Sequence, residues 1–215
     1  MSGDSSEAKR FAVVAETRRR WSAGEKRAIV EECSAGQASV SAVAGSLPKD
    51  SVYQLPLPLT DQRGVTRDWR RHRGAPQIVA MFYTSCPDMC PLIVDAGKAV
   101  EHALTPAERA GLGMIYISLD PVRDTPATLA ALARKRGLDP AHWALASPRA
   151  DDVRSVAGVL GVRYRQLADG QFNHTSALVL LDREGRIVAR TERMGSQVDP
   201  QFVAAVRRVL ATRQH

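Results

Sequence analysis

The sequence predicts an α/β sandwich around a central mixed sheet, preceded by a short helical extension. Two observations point there: from Ser46 onward apolar runs of strand length alternate with helical patterns, and the chain closes on a hairpin signal followed by a helix. A third sets the scale. At 215 residues and 44% hydrophobic content the chain can fill one ordinary domain plus an extension.

Residues 1–45 make the extension, rich in Ala, Ser, Glu and Arg and without strand-like runs. Ser22 with Glu25 has the capping-box spacing, followed by apolar Ile29 and Val30, and Ser39 opens a second helical stretch after Gly36-Gln37. Arg18-Arg19-Arg20-Trp21-Ser22 through Glu31-Glu32, then Ala38 to Ala44, resembles the opening of the helix-turn-helix in small insertion-sequence transposases. The likeness stops at Gly45, before the recognition helix that would enter a major groove. We therefore expect a remnant or fusion without nucleic-acid binding, and the main domain over 46–215.

In that domain Leu55-Pro56-Leu57-Pro58-Leu59 reads as an edge or extended segment, because each proline removes a ladder donor. Residues 77–83 form a buried strand and 89–104 a helix ending before Thr105-Pro106. Met114 to Leu119 is the next strand, Thr125 to Arg136 a helix closed by Gly137, Trp143 to Ala146 a short strand, and Asp151 to Leu160 a helix. Ala177 to Leu181 pairs with Ile187 to Arg190 across Asp182-Arg183-Glu184-Gly185, and Pro200 to Thr212 is the last helix, with Phe202, Val203, Val206 and Leu210 on one face.

In this order Cys86 and Cys90 fall at the end of the first central strand, where a helix begins. That placement is thioredoxin-like. A thiol there feels the positive end of the helix dipole, which favours thiolate. Three residues separate the pair, where thioredoxin-type oxidoreductases have two, so a disulfide stays feasible while two convergent thiolates also suit copper(I), with an imidazole as natural third donor. Two thiols buried beside a core histidine are the bland alternative, disfavoured by Pro87, Asp88 and Pro91, which suggest an exposed loop. Cys33 is left over.

Of the five histidines, His72 lies in the basic cluster Arg70 to Arg73, His102 sits late in a helix, His142 precedes Trp143 in a turn, and His215 is terminal. All four read as surface residues. His174 differs because it precedes the strongest strand of the second half, whose start should approach the cysteine helix, where thioredoxins carry a proline that this chain lacks. It is the best candidate for a third ligand.

Tyr83 to Pro91, Ser118-Leu119-Asp120-Pro121-Val122-Arg123-Asp124-Thr125-Pro126, and Phe172-Asn173-His174-Thr175 resemble the three signatures of the Sco/SenC copper proteins, over roughly residues 50–212. The resemblance implies a thioredoxin-like fold in which Cys86, Cys90 and His174 bind one copper, as Cu(I) or Cu(II). It also implies a metallochaperone, rather than an enzyme in the strict sense, that helps assemble the copper A centre of cytochrome c oxidase. The partners are then the oxidase copper-site subunit and an upstream copper donor or thiol reductant. The alternative is a thiol-disulfide reductase, with Cys86 and Cys90 as redox residues, that keeps the target cysteines reduced. Asp120 could accept a hydrogen bond behind a ligand; it could equally end a strand, with Asp124 capping the next helix.

The net charge of +7 is a modest excess that favours acidic partners without specifying one. No stretch approaches the roughly 20 apolar residues of a membrane span, and Met1 to Ala15 lacks the apolar core of a secretory signal. As written the chain is expected in the cytoplasm, whereas the family resemblance implies the cell envelope, on the periplasmic side of the inner membrane, with membrane association only through a native anchor.

Overall fold

The computed structural model describes residues 47–86 and 89–212. The extension over 1–45, with Cys33 and the transposase-like stretch, lies outside the described residues, as does His215.

Among the described residues nine strands and five helices follow the order β1 (Pro58–Asp61), β2 (Thr66–Asp68), β3 (Gln77–Phe82), α1 (Met89–Ala103), α2 (Pro106–Ala110), β4 (Gly113–Ser118), α3 (Pro126–Arg136), β5 (Trp143–Ser147), α4 (Val153–Val159), β6 (Tyr164–Gln166), β7 (Phe172–His174), β8 (Leu178–Leu181), β9 (Ile187–Thr191) and α5 (Pro200–Ala211). Seven strands form one mixed sheet in the order β2-β1-β5-β4-β3-β8-β9. β3, β4 and β5 run parallel, and the remaining pairs are antiparallel. Parallel neighbours need a crossover, supplied here by α1 with α2 and then by α3. β6 and β7 make a separate two-stranded sheet.

The centre is apolar because its strands have no wet face. β3 is buried over its whole length, and so is β8. Tyr116 on β4 packs between Phe82 and Trp143, with ring centroids 5.9 and 5.1 Å away. Its hydroxyl donates to the Ile93 carbonyl of α1 at 2.9 Å. α1 comes this close because residue 97 is glycine: a Cβ there would meet Tyr116 Oη at 2.3 Å and Trp143 at 2.6 Å. The helix that carries Cys90 is thereby seated directly on the sheet.

The predicted strands and long helices stand within a residue or two of their observed bounds. Three details differ. The proline-rich segment is extended only as far as Leu57; from Pro58 it becomes β1, an interior strand between β2 and β5, with its proline at the first position where no ladder donor is lost. The hairpin partner β2, the short α2 and the β6–β7 sheet were not predicted, since each is too short for a periodic signal. Thr125, not Asp124, caps α3, accepting from Thr128 N. Gly137 closes that helix in the left-handed region, at φ +61°, as expected.

Candidate metal centre

Cys86 and Cys90 flank the start of α1, just past the end of β3, as the sequence places them. Cys90 is 4% exposed and Cys86 half-buried, and the two are not disulfide-bonded. The Tyr83 N–H donates to Cys90 Sγ at 3.3 Å. Burial nevertheless dominates and pushes the Cys90 thiol well up, with the neighbouring Cys86 adding to the rise and the Tyr83 N–H opposing it. The expectation that the helix start would favour thiolate is therefore reversed at Cys90: desolvation outweighs it, so a bound cation or an approaching reaction partner has to draw off the proton. The thiols open on a hollow of about 240 Å3 that Pro91, Val94, Leu132 and Lys135 also line.

The loop before Cys86 is fastened by a residue that the sequence reading set aside. Asp124, fully buried, accepts from Thr84 N at 3.1 Å, from Thr84 Oγ1 at 2.5 Å and from Ser118 Oγ at 2.6 Å. Burial raises its carboxyl above the usual range, partly offset by these hydrogen bonds. Asp120, the acceptor expected from the sequence, instead pairs with Arg123, whose Nη2 donates to the Gly170 carbonyl at 2.5 Å in the turn between β6 and β7. Both carboxylates stand in one strand-to-helix segment, Ser118 to Pro126, both are buried, and nothing in spacing alone says which of them fastens the loop before Cys86.

His174 ends β7, opposite Tyr164. Its Nδ1 lies 3.1 Å from the Thr175 carbonyl, an interaction that puts the proton on Nδ1 and leaves Nε2 as the lone-pair nitrogen. Nε2 is buried and has no hydrogen-bond partner among the described residues. Burial pulls the imidazole below its ordinary value, against the opposing effect of the Thr175 carbonyl. A neutral imidazole with a bare Nε2 has the electronic form of a metal ligand.

The structure does not bring the three predicted ligands into one cluster. Among the described residues no group of three His, Cys, Asp or Glu side chains converges as a metal cage. His174 lines its own hollow with Arg163, Tyr164 and Asn173, apart from the thiols. Tyr83 joins the two parts. Its ring meets those of Phe172 and His174 edge-on, at 5.2 and 5.9 Å between centroids. Its hydroxyl lies 3.0 Å from Gln171 Oε1 and 3.2 Å from the Phe172 carbonyl, and accepts the Phe172 N–H at 3.2 Å. As a donor set, two sulfurs and one imidazole suit a soft cation such as copper(I). Among the described residues no cluster of three carboxylates presents itself for a hard ion.

Comparison with known proteins agrees with this fold. The family model described as SCO1/SenC matches residues 47–211. An SCO2-like protein of Rickettsia typhi is 27% identical over 135 residues, which is 60% of this chain and 65% of that protein, so the match spans just under two thirds of the curated relative. The structure of ScoI from Bradyrhizobium japonicum with copper bound has a TM-score of 0.61 at 28% identity, over 72% of this chain and 98% of the other. BsSco, described as having a disulfide switch and as a member of the Sco family of cytochrome c oxidase assembly proteins, gives 0.64 at 18% identity, over 79% and 99%; at that identity the likeness speaks for the thioredoxin-like fold alone.

Proposed function

The chain belongs to the SCO1/SenC family, and from that premise we propose that it carries one copper ion on Cys86, Cys90 and His174 and assists assembly of the copper A centre of cytochrome c oxidase. The observation that carries this reading is the pairing of two thiols at the head of a firmly seated helix with a buried, unpartnered Nε2 linked to them through Tyr83. Copper is cargo here. The two sulfurs supply the affinity for the soft ion, and each must give up its proton to bind, so retention weakens as pH falls. A third ligand that stands apart from the thiols suits a carrier, because an ion held by two sulfurs and a movable imidazole is open to ligand exchange with an acceptor. In this reading the acceptor is the oxidase copper-site subunit and the exchange takes place in the cell envelope. Among the described residues no helix is long and apolar enough to cross a membrane.

A second reading rests on the unequal exposure of the thiols. A half-buried Cys86 can attack a partner disulfide while buried Cys90 waits to resolve it. The Cys86 sulfur bonds to one partner sulfur and expels the other as thiolate; Cys90 then attacks Cys86, releasing the second partner thiol and leaving a Cys86–Cys90 disulfide. Two electrons pass to the partner, and an upstream thiol reductant must restore the pair.

An anaerobic copper(I) titration against a competing chelator separates these readings. The carrier reading expects one tightly held copper per chain, lost in Cys86→Ser and in Cys90→Ser, with His174→Ala weakening Cu(II) more than Cu(I). No competitive binding, together with turnover of a disulfide substrate, would hand the site to the reductase reading.

A further inference from the structure

At the opposite end of the sheet from the thiols lies a larger cleft, of about 560 Å3, within the range of small-molecule sites. Its floor is formed by the first residues of the three parallel strands, Gln77, Gly113 and Trp143. The six residues of β3 separate it from the cysteine loop by roughly 20 Å. It has no part in the metal centre.

The charge around this cleft is one-sided. Asp61 is the single carboxylate among its lining residues. That carboxylate is already taken, by Arg63 Nη2 at 2.7 Å and by the backbone N–H groups of Arg63 and Val65 at 2.9 and 3.0 Å. Arg67 and Arg71, both exposed, line the same cleft and enter none of the ion pairs formed by the described residues. His72 and His142 line the cleft as well. Burial, aided by the adjacent Arg71, pushes the His72 imidazole down to about 4, so at neutral pH it offers a single N–H and no charge.

The floor carries an unmet demand of the other kind. Gln77 is 3% exposed, and its Nε2 donates to the Ala75 carbonyl at 3.2 Å, yet its Oε1 is buried without a donor. An amide oxygen left in that state is destabilising until a donor reaches it. Gly113 makes room for the amide itself, since a Cβ there would stand 2.0 Å from Oε1. A rim that lacks anions and a floor that lacks a donor describe one kind of guest.

We propose that this cleft binds a phosphate ester carrying a free hydroxyl. The phosphate oxygens are gripped by the guanidinium groups of Arg67 and Arg71, which match that geometry, and the hydroxyl donates to Gln77 Oε1. A glycerol phosphate group has this chemistry, whether as a free ester or as the headgroup of an anionic phospholipid.

The test uses the full chain and two probes, sn-glycerol 3-phosphate in solution and phosphatidylglycerol vesicles with phosphatidylcholine vesicles as the control. NMR signals of the His72 ring and of the Trp69 and Trp143 indoles, all in the cleft lining, report the place of binding. Saturable shifts with the soluble ester, weakened about tenfold or more in Arg67→Glu/Arg71→Glu, bear the proposal out with a free ester as ligand. Response only to phosphatidylglycerol vesicles, lost in the same variant, bears it out with a lipid headgroup. Silence toward both probes, or binding that the double variant leaves intact, overturns it. Inorganic phosphate binding as tightly as the ester overturns the role of Gln77, and with it the assignment. The variant's unchanged copper(I) titration serves as the folding control, so failure here is distinguishable from failure of the carrier reading.

Discussion

Cys90 rides a helix of fifteen residues whose inner side packs on the central strands, whereas His174 ends a strand of three residues in a sheet of two. The cysteine side is fastened by a buried carboxylate, an inserted helix and the Tyr83 amide. The histidine side is held across the gap by the Tyr83 hydroxyl and the Arg123 guanidinium. The difference teaches how a carrier can combine affinity with release. In the proposed carrier the sulfur pair, which would set affinity for a soft ion, is fixed by the fold, and the imidazole, which would set coordination number, hangs on a few hydrogen bonds.

The comparison breaks most sharply at Asp124. Replacing it with alanine leaves the Thr84 amide, the Thr84 hydroxyl and the Ser118 hydroxyl without their acceptor, in a place water does not reach. We expect about 3 kcal/mol of destabilisation by urea unfolding, together with faster alkylation of Cys86 as its loop loosens. A loss under about 0.5 kcal/mol, the usual size for a surface change, would show that the cysteine loop is not fastened here.

Tyr83→Phe probes the other side at smaller cost. The ring stays, so the contacts with Phe172 and His174 persist, while the hydroxyl's links to Gln171 and Phe172 vanish. Global stability should fall by about 1 kcal/mol. The informative readout is local: amide exchange in 164–166 and 172–174 should quicken while that of β3 stays unchanged. Equal acceleration in β3 would mean that the two halves are one cooperative unit and the contrast between them is false.

How much of this was legible follows from the lengths of the signals. β3, β4 and β8 are continuous apolar runs and α5 a full amphipathic pattern, so the sheet centre and its last helix could be read directly. The cysteines declared themselves by spacing. His174 was found by its place before β8, but the strand it occupies was missed, since three residues, Phe172, Asn173 and His174, cannot establish a period of two. Asp120 and Asp124 could not be ranked from sequence, because the partners a buried carboxylate finds in a turn are set by the tertiary fold, here Thr84 and Ser118 for Asp124 and Arg123 for Asp120. His72 read as a surface histidine in a basic cluster, and only the fold turns it toward a cleft.

The smallest expected effect tests the electrostatics of that fastening. Asp124→Asn keeps the shape and an acceptor oxygen but removes the titration. In the folded chain burial raises the Asp124 carboxyl above its ordinary 3.8, so the folded state holds this proton more tightly than the unfolded one. Its contribution to stability is therefore fully present below the unfolded value and is lost as pH rises through the folded one. Asp61 and Asp199 run the other way, their lowered carboxyls adding stability that disappears in acid, and they keep the total curve from showing the Asp124 effect directly. Subtracting the variant's unfolding free energy from the parent's cancels them. That difference should shrink as pH rises above about 4, and a flat difference would mean that Asp124 titrates normally, with Thr84 and Ser118 offsetting its burial in full.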